Sequence, residues 1–374
     1  MTRADPSAPA AADGSGSASA ADDPAFGVYV HIPFCARRCD YCAFAAWDDR
    51  HDLTERYLAA LHRQAVEAAA DEEVPPVTSV FVGGGTPSMV PAEGLLAVVA
   101  ELPLAPGAEV TIECNPDTVT PELVEAYAAG GVTRLSFGVQ SMVPHVLESL
   151  GRAHDPANVR RCVELARAAG LTFNLDVIYG AAGESLDDWH RTLDEVLALE
   201  PPHVSAYGLT VEAGTPLADD PDRHPDDDDQ ADKYELADDL LTAAGLDWYE
   251  VSNWARPGHT CRHNRLYWSQ GEYLGLGCAA HAHRHGRRWW NLRTPERYID
   301  AVEAGRSVEA ADEVLGPDER RLEGLQLALR LREGVPADAL PLEDLPGLVT
   351  VDGERAVLTR RGRLLANEVA LRLR

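Results

Sequence analysis

The sequence predicts an α/β protein: a partial (βα)6 barrel followed by a smaller, helical, winged-helix-like C-terminal domain. Three observations predict it. Short apolar runs and helix-period segments alternate six times between residues 28 and 209, which means parallel strands joined by crossover helices. Cysteine, glycine or polar residues follow or close those apolar runs, where β/α barrels build their sites. A closed barrel needs eight such units, so six leave it open.

Each element has its own signal. Residues 28–32 are a short apolar run, and a cysteine-rich loop follows. Residues 53–70 read as a helix with Leu53, Tyr57, Leu58, Leu61 and Val66 on one face. Val80, Phe81 and Val82 form a buried strand running into Gly83-Gly84-Gly85-Thr86-Pro87. A helix at 93–101 leads to a strand at 110–112 that ends on Glu113. The helix at 121–129 stops at Gly130-Gly131, and a strand at 134–139 ends on Gln140. A helix at 158–169 closes at Gly170. The strand at 173–178 carries Asp176, the next helix starts near Ser185, and 203–209 is the sixth strand.

Beyond that the pattern changes. Residues 218–232, with the run Asp226–Asp229, read as an acidic surface loop, and a helix begins at Lys233. Residues 253–285 are rich in Gly, His and aromatics and read as irregular structure over the barrel. Residues 348–358 read as a hairpin with an Asp352-Gly353 turn, before a last helix at 361–373. The expected organisation is a disordered tail at 1–24, a barrel at 25–255, a covering segment at 256–290 and the C-terminal domain at 291–374.

The bulk numbers exclude several classes. Thirty-three basic against sixty-one acidic residues give a formal net charge of −28. That argues against a nucleic-acid surface, which needs a basic footprint. No apolar run approaches a membrane span. The acidic, Ala/Ser/Gly-rich N-terminus lacks the features of a secretory signal. Free cysteines gathered in one motif imply a reducing compartment, so a cytoplasmic location is expected.

Cys35, Cys39 and Cys42 are spaced C-x3-C-x2-C and hold nearly half of the seven cysteines within eight residues. A disulfide cannot use three, and a closed zinc site needs a fourth ligand, for which His31 or Asp40 is the nearest choice. Three thiolates on one loop suit one face of an iron–sulfur cube, leaving one iron open.

This spacing, with Tyr41 before the last cysteine, resembles the radical S-adenosylmethionine (SAM) superfamily, whose fold is a six-unit partial barrel. The resemblance implies a [4Fe-4S] cluster on Cys35, Cys39 and Cys42 whose open iron chelates SAM. One electron from the cluster then cleaves the sulfonium bond. Within the superfamily the chain is similar to the oxygen-independent coproporphyrinogen III oxidase-like family. Tyr29, Tyr41, Gly84, Gly85 and Thr86 match positions that contact SAM there, as do Glu113, Gln140, Arg152 and Asp176. Carboxylate, amide and guanidinium groups suit the amino, carboxylate and hydroxyl groups of SAM. The loop Gly180-Ala181-Ala182-Gly183-Glu184-Ser185 departs from the family's usual Gly-Leu-Pro-Gly-Gln-Thr.

From residue 26 onward the chain most resembles the heme-chaperone branch of that family, the HemW-type proteins. The cysteine motif ends Cys42-Ala43-Phe44, whereas the oxidases end C-x-C. The segment His263-Asn264-Arg265-Leu266-Tyr267-Trp268 matches a signature of the branch tied to heme handling. A neutral His263 can ligate heme iron, and Tyr267 and Trp268 can pack on a porphyrin face; alternatively His263 and Trp268 seal the open side of the barrel. Cys261, His263, Cys278 and His281 also have spacing that could hold zinc. Three readings follow: a heme chaperone that carries a cluster and SAM and hands heme, or another tetrapyrrole, to an acceptor protein; a coproporphyrinogen III oxidase; or a zinc-stabilised scaffold without a cluster. The resemblance favours the first and argues against decarboxylation.

Overall fold

A computed structural model describes residues 25–374; the tail expected at 1–24 lies outside the described residues. The six expected units are present. They are β1 (Phe26–Ile32), α1 (Thr54–Ala70), β2 (Val77–Gly84), α2 (Ala92–Ala100), β3 (Leu104–Cys114), α3 (Pro121–Ala129) and β4 (Arg134–Gln140). Then come α4 (Pro144–Ser149), α5 (Pro156–Ala168), β5 (Thr172–Tyr179), α6 (Leu186–Leu197) and β6 (His203–Gly208). The helix starts follow local chemistry. Thr120 accepts from the Leu123 amide ahead of Pro121, and Asp155 accepts from the Ala157 amide ahead of Pro156. Ser185 and Asp188 form a reciprocal capping box.

β1 to β6 pair in parallel in sequence order. Their period-2 alternation separates two faces. Val28, Val30 and Ile32 of β1, Val80 and Val82 of β2, and Val110 and Ile112 of β3 are fully buried with the helices that pack on them. Each such side chain stabilises the fold by about 1.5–3 kcal/mol relative to exposure. Most intervening positions are polar or small, namely Tyr29 and His31, Gly83, Thr111 and Glu113, Ser136 and Gly138, Asn174 and Asp176, with Phe81 and Ile178 the apolar exceptions. They bond within and across strands. Ser136 Oγ donates to Asp176 Oδ2 at 2.8 Å and Asn174 Nδ2 to Asp176 Oδ1 at 2.7 Å, while His203 meets Asn174 Oδ1 at 2.5 Å and Tyr249 OH at 2.9 Å.

The sheet does not close. It grows at both edges into twelve strands. Beyond β6 come α7 (Asp227–Ala243) and the antiparallel strands β7 (Asp247–Glu250) and β8 (Asn253–Ala255). On the other side, after α8 (Arg262–Trp268), β9 (Glu272–Leu276) pairs in parallel with β1. It is followed by the antiparallel strands β10 (His281–Arg284) and β11 (Arg287–Asn291), then α9 (Pro295–Glu303) and the edge strand β12 (Glu309–Val314). The last part has its own small core. It comprises α10 (Pro317–Ala328), the three-stranded sheet of β13 (Val335–Pro336), β14 (Val349–Asp352) and β15 (Arg355–Leu358), and the helices α11 (Arg360–Leu364) and α12 (Ala366–Ala370).

Three expectations are corrected. The acidic run is not a loop: Asp226 accepts from the Asp229 amide, and Asp227, Asp228 and Asp229 form the first turn of α7. Carboxylates there complement the positive end of the helix dipole. Residues 253–285 are not irregular, since they supply β8, α8, β9 and β10; their glycines and histidines masked a short strand alternation. The last helix breaks into two at Leu365.

Candidate functional site

The cysteine loop leaves β1 at Ile32 and is pinned at its neck. The Trp47 amide donates to Pro33 O at 2.8 Å and the Cys35 amide to Trp47 O at 3.0 Å. The three cysteines are half-buried and free. Thr86 Oγ1 points at Cys35 Sγ and Arg152 Nη1 at Cys39 Sγ, each at 3.6 Å. As bare thiols, burial pushes Cys35 up to about 11 and Cys42 upward as well. They would ionise against the positive charge of bound iron. Three thiols with donors aimed at two sulfurs fit a [4Fe-4S] cluster, whose sulfurs accept such bonds.

The zinc arrangements do not form. His31 is buried, with Nε2 on Ala45 O at 2.8 Å and Nδ1 on Tyr29 OH at 3.0 Å. Asp40 pairs with Arg223 at 2.8 Å. Cys261 lies 3.5 Å from Glu109 Oε1 and Cys278 3.6 Å from Tyr57 OH, so they have separate partners. Among the described residues no three His, Cys, Asp or Glu groups converge on a single ion. A cube of four irons takes its thiolates at separate corners instead.

The Gly83–Thr86 segment lies against the cysteine loop. The Gly85 amide donates to Ile32 O and the Thr86 amide to Phe34 O, both at 2.7 Å. A Cβ on Gly85 would come within 2.6 Å of Phe34 O, and one on Gly84, which has φ +108°, within 2.4 Å of the His31 ring. Only glycine allows this approach. The Gly84 amide donates to Glu113 Oε2 at 3.2 Å. Burial, with Asp176 nearby, pushes the Glu113 carboxyl up to about 8; burial also raises Asp176. Gln140 turns out of β4 at φ +60°. The side chains of Gln140 and Arg152 both close over Gly138, whose carbonyl accepts from Arg152 Nη2 at 2.8 Å. Tyr41 packs beside Val143, Val146 and Leu150.

A cleft of about 860 Å³ opens from this rim, a size proper to small-molecule and cofactor sites. Tyr29, Gly84, Glu113 and the 66% exposed Phe44 line one end. Tyr273, His281, His283, Arg288 and Trp290, from β9 to β11, line the other, with Arg293 and Arg297 beside them.

The expected heme triad is divided. Tyr267 lines the cleft. His263 lies beneath it, with no exposed surface. Its Nδ1 meets Ser79 Oγ and its Nε2 meets Tyr267 OH, each at 2.9 Å, and its ring stacks on Phe81. Burial lowers it to about 3. With both nitrogens engaged and no exposed surface, the ring forms the floor beneath the cleft. Trp268 turns from the cleft to Arg330, 5.2 Å from its ring centre.

A family profile for the radical SAM superfamily matches residues 29–196. A Mycobacterium tuberculosis protein named heme chaperone HemW is 43% identical over 92% of this chain and 93% of its own. The Escherichia coli K12 protein of that name is 35% identical over 92% and 97%.

The chain belongs to the HemW family.

A solved structure of the coproporphyrinogen III oxidase HemN from Escherichia coli superposes with a TM-score of 0.81, covering 93% of this chain and 89% of that one. At 22% identity this likeness to a HemW-family chain concerns the fold alone. Sequence reasoning missed two parts of the site. Glu109 fixes α8 by accepting from the Arg262 and His263 amides at 3.0 and 3.3 Å. The β10–β11 wall is hidden because residues 253–285 read as irregular structure: His281 enters the sequence reading only in a zinc set and His283 not at all, although the two share one strand face. Their i, i+2 spacing is the signal that could have found them.

Proposed function

We propose that this HemW-family chain binds heme, passes it to an acceptor protein, and carries a [4Fe-4S] cluster with SAM at the strand-end rim. One observation carries the reading: a single cleft joins the rim to a wall of imidazoles, an indole and guanidinium groups, with Phe44 at the rim end. A phenyl ring neither ligates a metal nor transfers a hydrogen atom as a thiol does, so this end of the cleft suits an intact porphyrin better than porphyrinogen chemistry.

Cys35, Cys39 and Cys42 would hold the cluster, which supplies one-electron reducing power when bound. Glu113 and Asp176 would accept from the ammonium and hydroxyl groups of SAM, Gln140 and Arg152 would meet its polar groups, and Gly84 and Gly85 would let it approach the backbone. Tyr29, Tyr41 and Thr86 complete the proposed contacts. The free thiols favour a reducing, cytoplasmic setting, and among the described residues no helix is long and apolar enough to cross a membrane. Anaerobically reconstituted protein should take up a single heme per chain, release it to an apo-acceptor, and leave coproporphyrinogen III unchanged. Protoporphyrinogen IX formed at turnover rates would promote the oxidase reading and sink this one.

A further inference from the structure

His263 is spent on the floor of the cleft, which leaves open what holds the iron. The β10–β11 ladder offers an answer. His281 stands opposite Trp290 and His283 opposite Arg288, so the four side chains form one wall. Their situations differ. His283 uses Nδ1 on Gly271 O at 2.9 Å, and its Nε2 is sealed from solvent within the wall. Arg288 is committed to Glu313 and Glu323. His281 is exposed to the cleft, and among the described residues neither of its ring nitrogens has a protein partner. Its ring stacks on Trp290, at 5.7 Å between centroids and 28° between planes. Partial desolvation in the cleft and the nearby Arg288 lower its pKa, which favours the neutral imidazole that binds a metal.

Charge completes the picture. Arg293 and Arg297 line the same cleft, are exposed, and make no ion pair among the described residues. In a chain with a net charge of −28, two unpaired guanidinium groups beside an available imidazole mark a place for a dianion. Heme presents two propionates and an iron with open axial positions.

We propose that His281 is the axial ligand of the heme iron and that Arg293 and Arg297 hold its propionates. The assignment rests on the heme binding proposed above. A coordinate bond forms between a ring lone pair of His281 and the iron, with no change in the iron's oxidation state. Tyr267 and Phe44 then flank the macrocycle from the floor and the rim.

Heme titration of the full-length, cluster-reconstituted chain tests it, read by absorption and paramagnetic resonance, with iron content as the folding control. Wild type should give a histidine-ligated spectrum. His281→Ala should lose it and bind at least about tenfold more weakly, the scale on which even groups behind a metal ligand act. Added imidazole should restore the spectrum. His281→Met should shift it to that of a thioether ligand and serves as a second variant should the alanine form fold poorly. His285→Asn, at an exposed histidine that pairs with Glu272 and does not line the cleft, should leave it unchanged. Arg293→Gln with Arg297→Gln should weaken binding at an unchanged absorption maximum. A wild-type chain that takes up no heme overturns both this assignment and the chaperone reading. Wild-type binding with an unchanged spectrum in His281→Ala, or a loss that imidazole does not restore, overturns the assignment alone. A loss in His285→Asn with none in His281→Ala moves the ligand away from His281.

Discussion

The two ends of the cleft are built on opposite terms. At the rim, ionisable groups are buried and already engaged: Glu113, which lines the cleft, with the Gly84 amide, and, outside its lining, Asp176 with Ser136 and Asn174 and Arg152 with Gly138 O and Cys39. At the wall, His281, Arg293 and Arg297 are exposed and, among the described residues, uncommitted. A buried, preorganised set of partners suits a cofactor that stays. An open set, whose ionic contacts water screens, suits a cargo that must leave. The difference teaches that holding and exchanging can share one cavity when burial is graded along it.

That contrast can be broken from the rim first. Cys35→Ala, Cys39→Ala or Cys42→Ala should each abolish the paramagnetic signal of the reduced cluster. Cys114→Ala, Cys162→Ala, Cys261→Ala and Cys278→Ala should keep it, because those thiols are buried elsewhere. Loss of the signal in a folded variant of the second set would overturn the three-ligand assignment.

The floor separates structure from ligation. His263→Ala removes two buried hydrogen bonds and a stacked ring, and should cost about 2–4 kcal/mol in denaturant unfolding. Its heme absorption maximum should stay where the wild type has it. A shifted maximum in a folded variant would return His263 to the role of ligand.

A smaller effect sharpens the comparison of the two ends. Glu113→Ala and Asp176→Ala should each weaken SAM binding by about 1–3 kcal/mol with iron content intact and heme affinity unchanged. The Arg293→Gln, Arg297→Gln pair should do the reverse. Equal losses for both ligands in either set, measured by calorimetry, would mean that the cleft is one site rather than two.

The last expected effect is a slope, modest at any one pH. Glu113 is raised from 4.5 to about 8 in the fold. Between those values the native state therefore holds a proton that the unfolded chain has lost, and stability falls as pH rises through that window. Glu113→Gln lacks this slope. Its stability relative to wild type, measured without the cluster, should rise by on the order of 1 kcal/mol per pH unit at most between about pH 5 and about pH 8. A flat or falling difference would show that Glu113 is ionised in the folded chain.

The sequence by itself determined the rim. Each of its groups sits a fixed, short distance after an apolar run, and a parallel strand delivers its C-terminal residues to one edge whatever the rest of the chain does. The order Cys35 to Gly84, Glu113, Gln140 and Asp176 was therefore readable without coordinates, as were α3 and the Asp352-Gly353 hairpin. Only the tertiary structure decided the floor and the wall. His263 looked like a ligand because its residue type and setting permit one; packing α8 against Gly27 and Phe81 turned both nitrogens inward. Likewise, nothing local says that β9 will add to β1. That pairing sets Phe26 beside Glu272, and it brings His281 and Trp290 into the same cleft as Glu113. Local periodicity reports which side of a strand a residue takes, but not which distant strand will lie beside it.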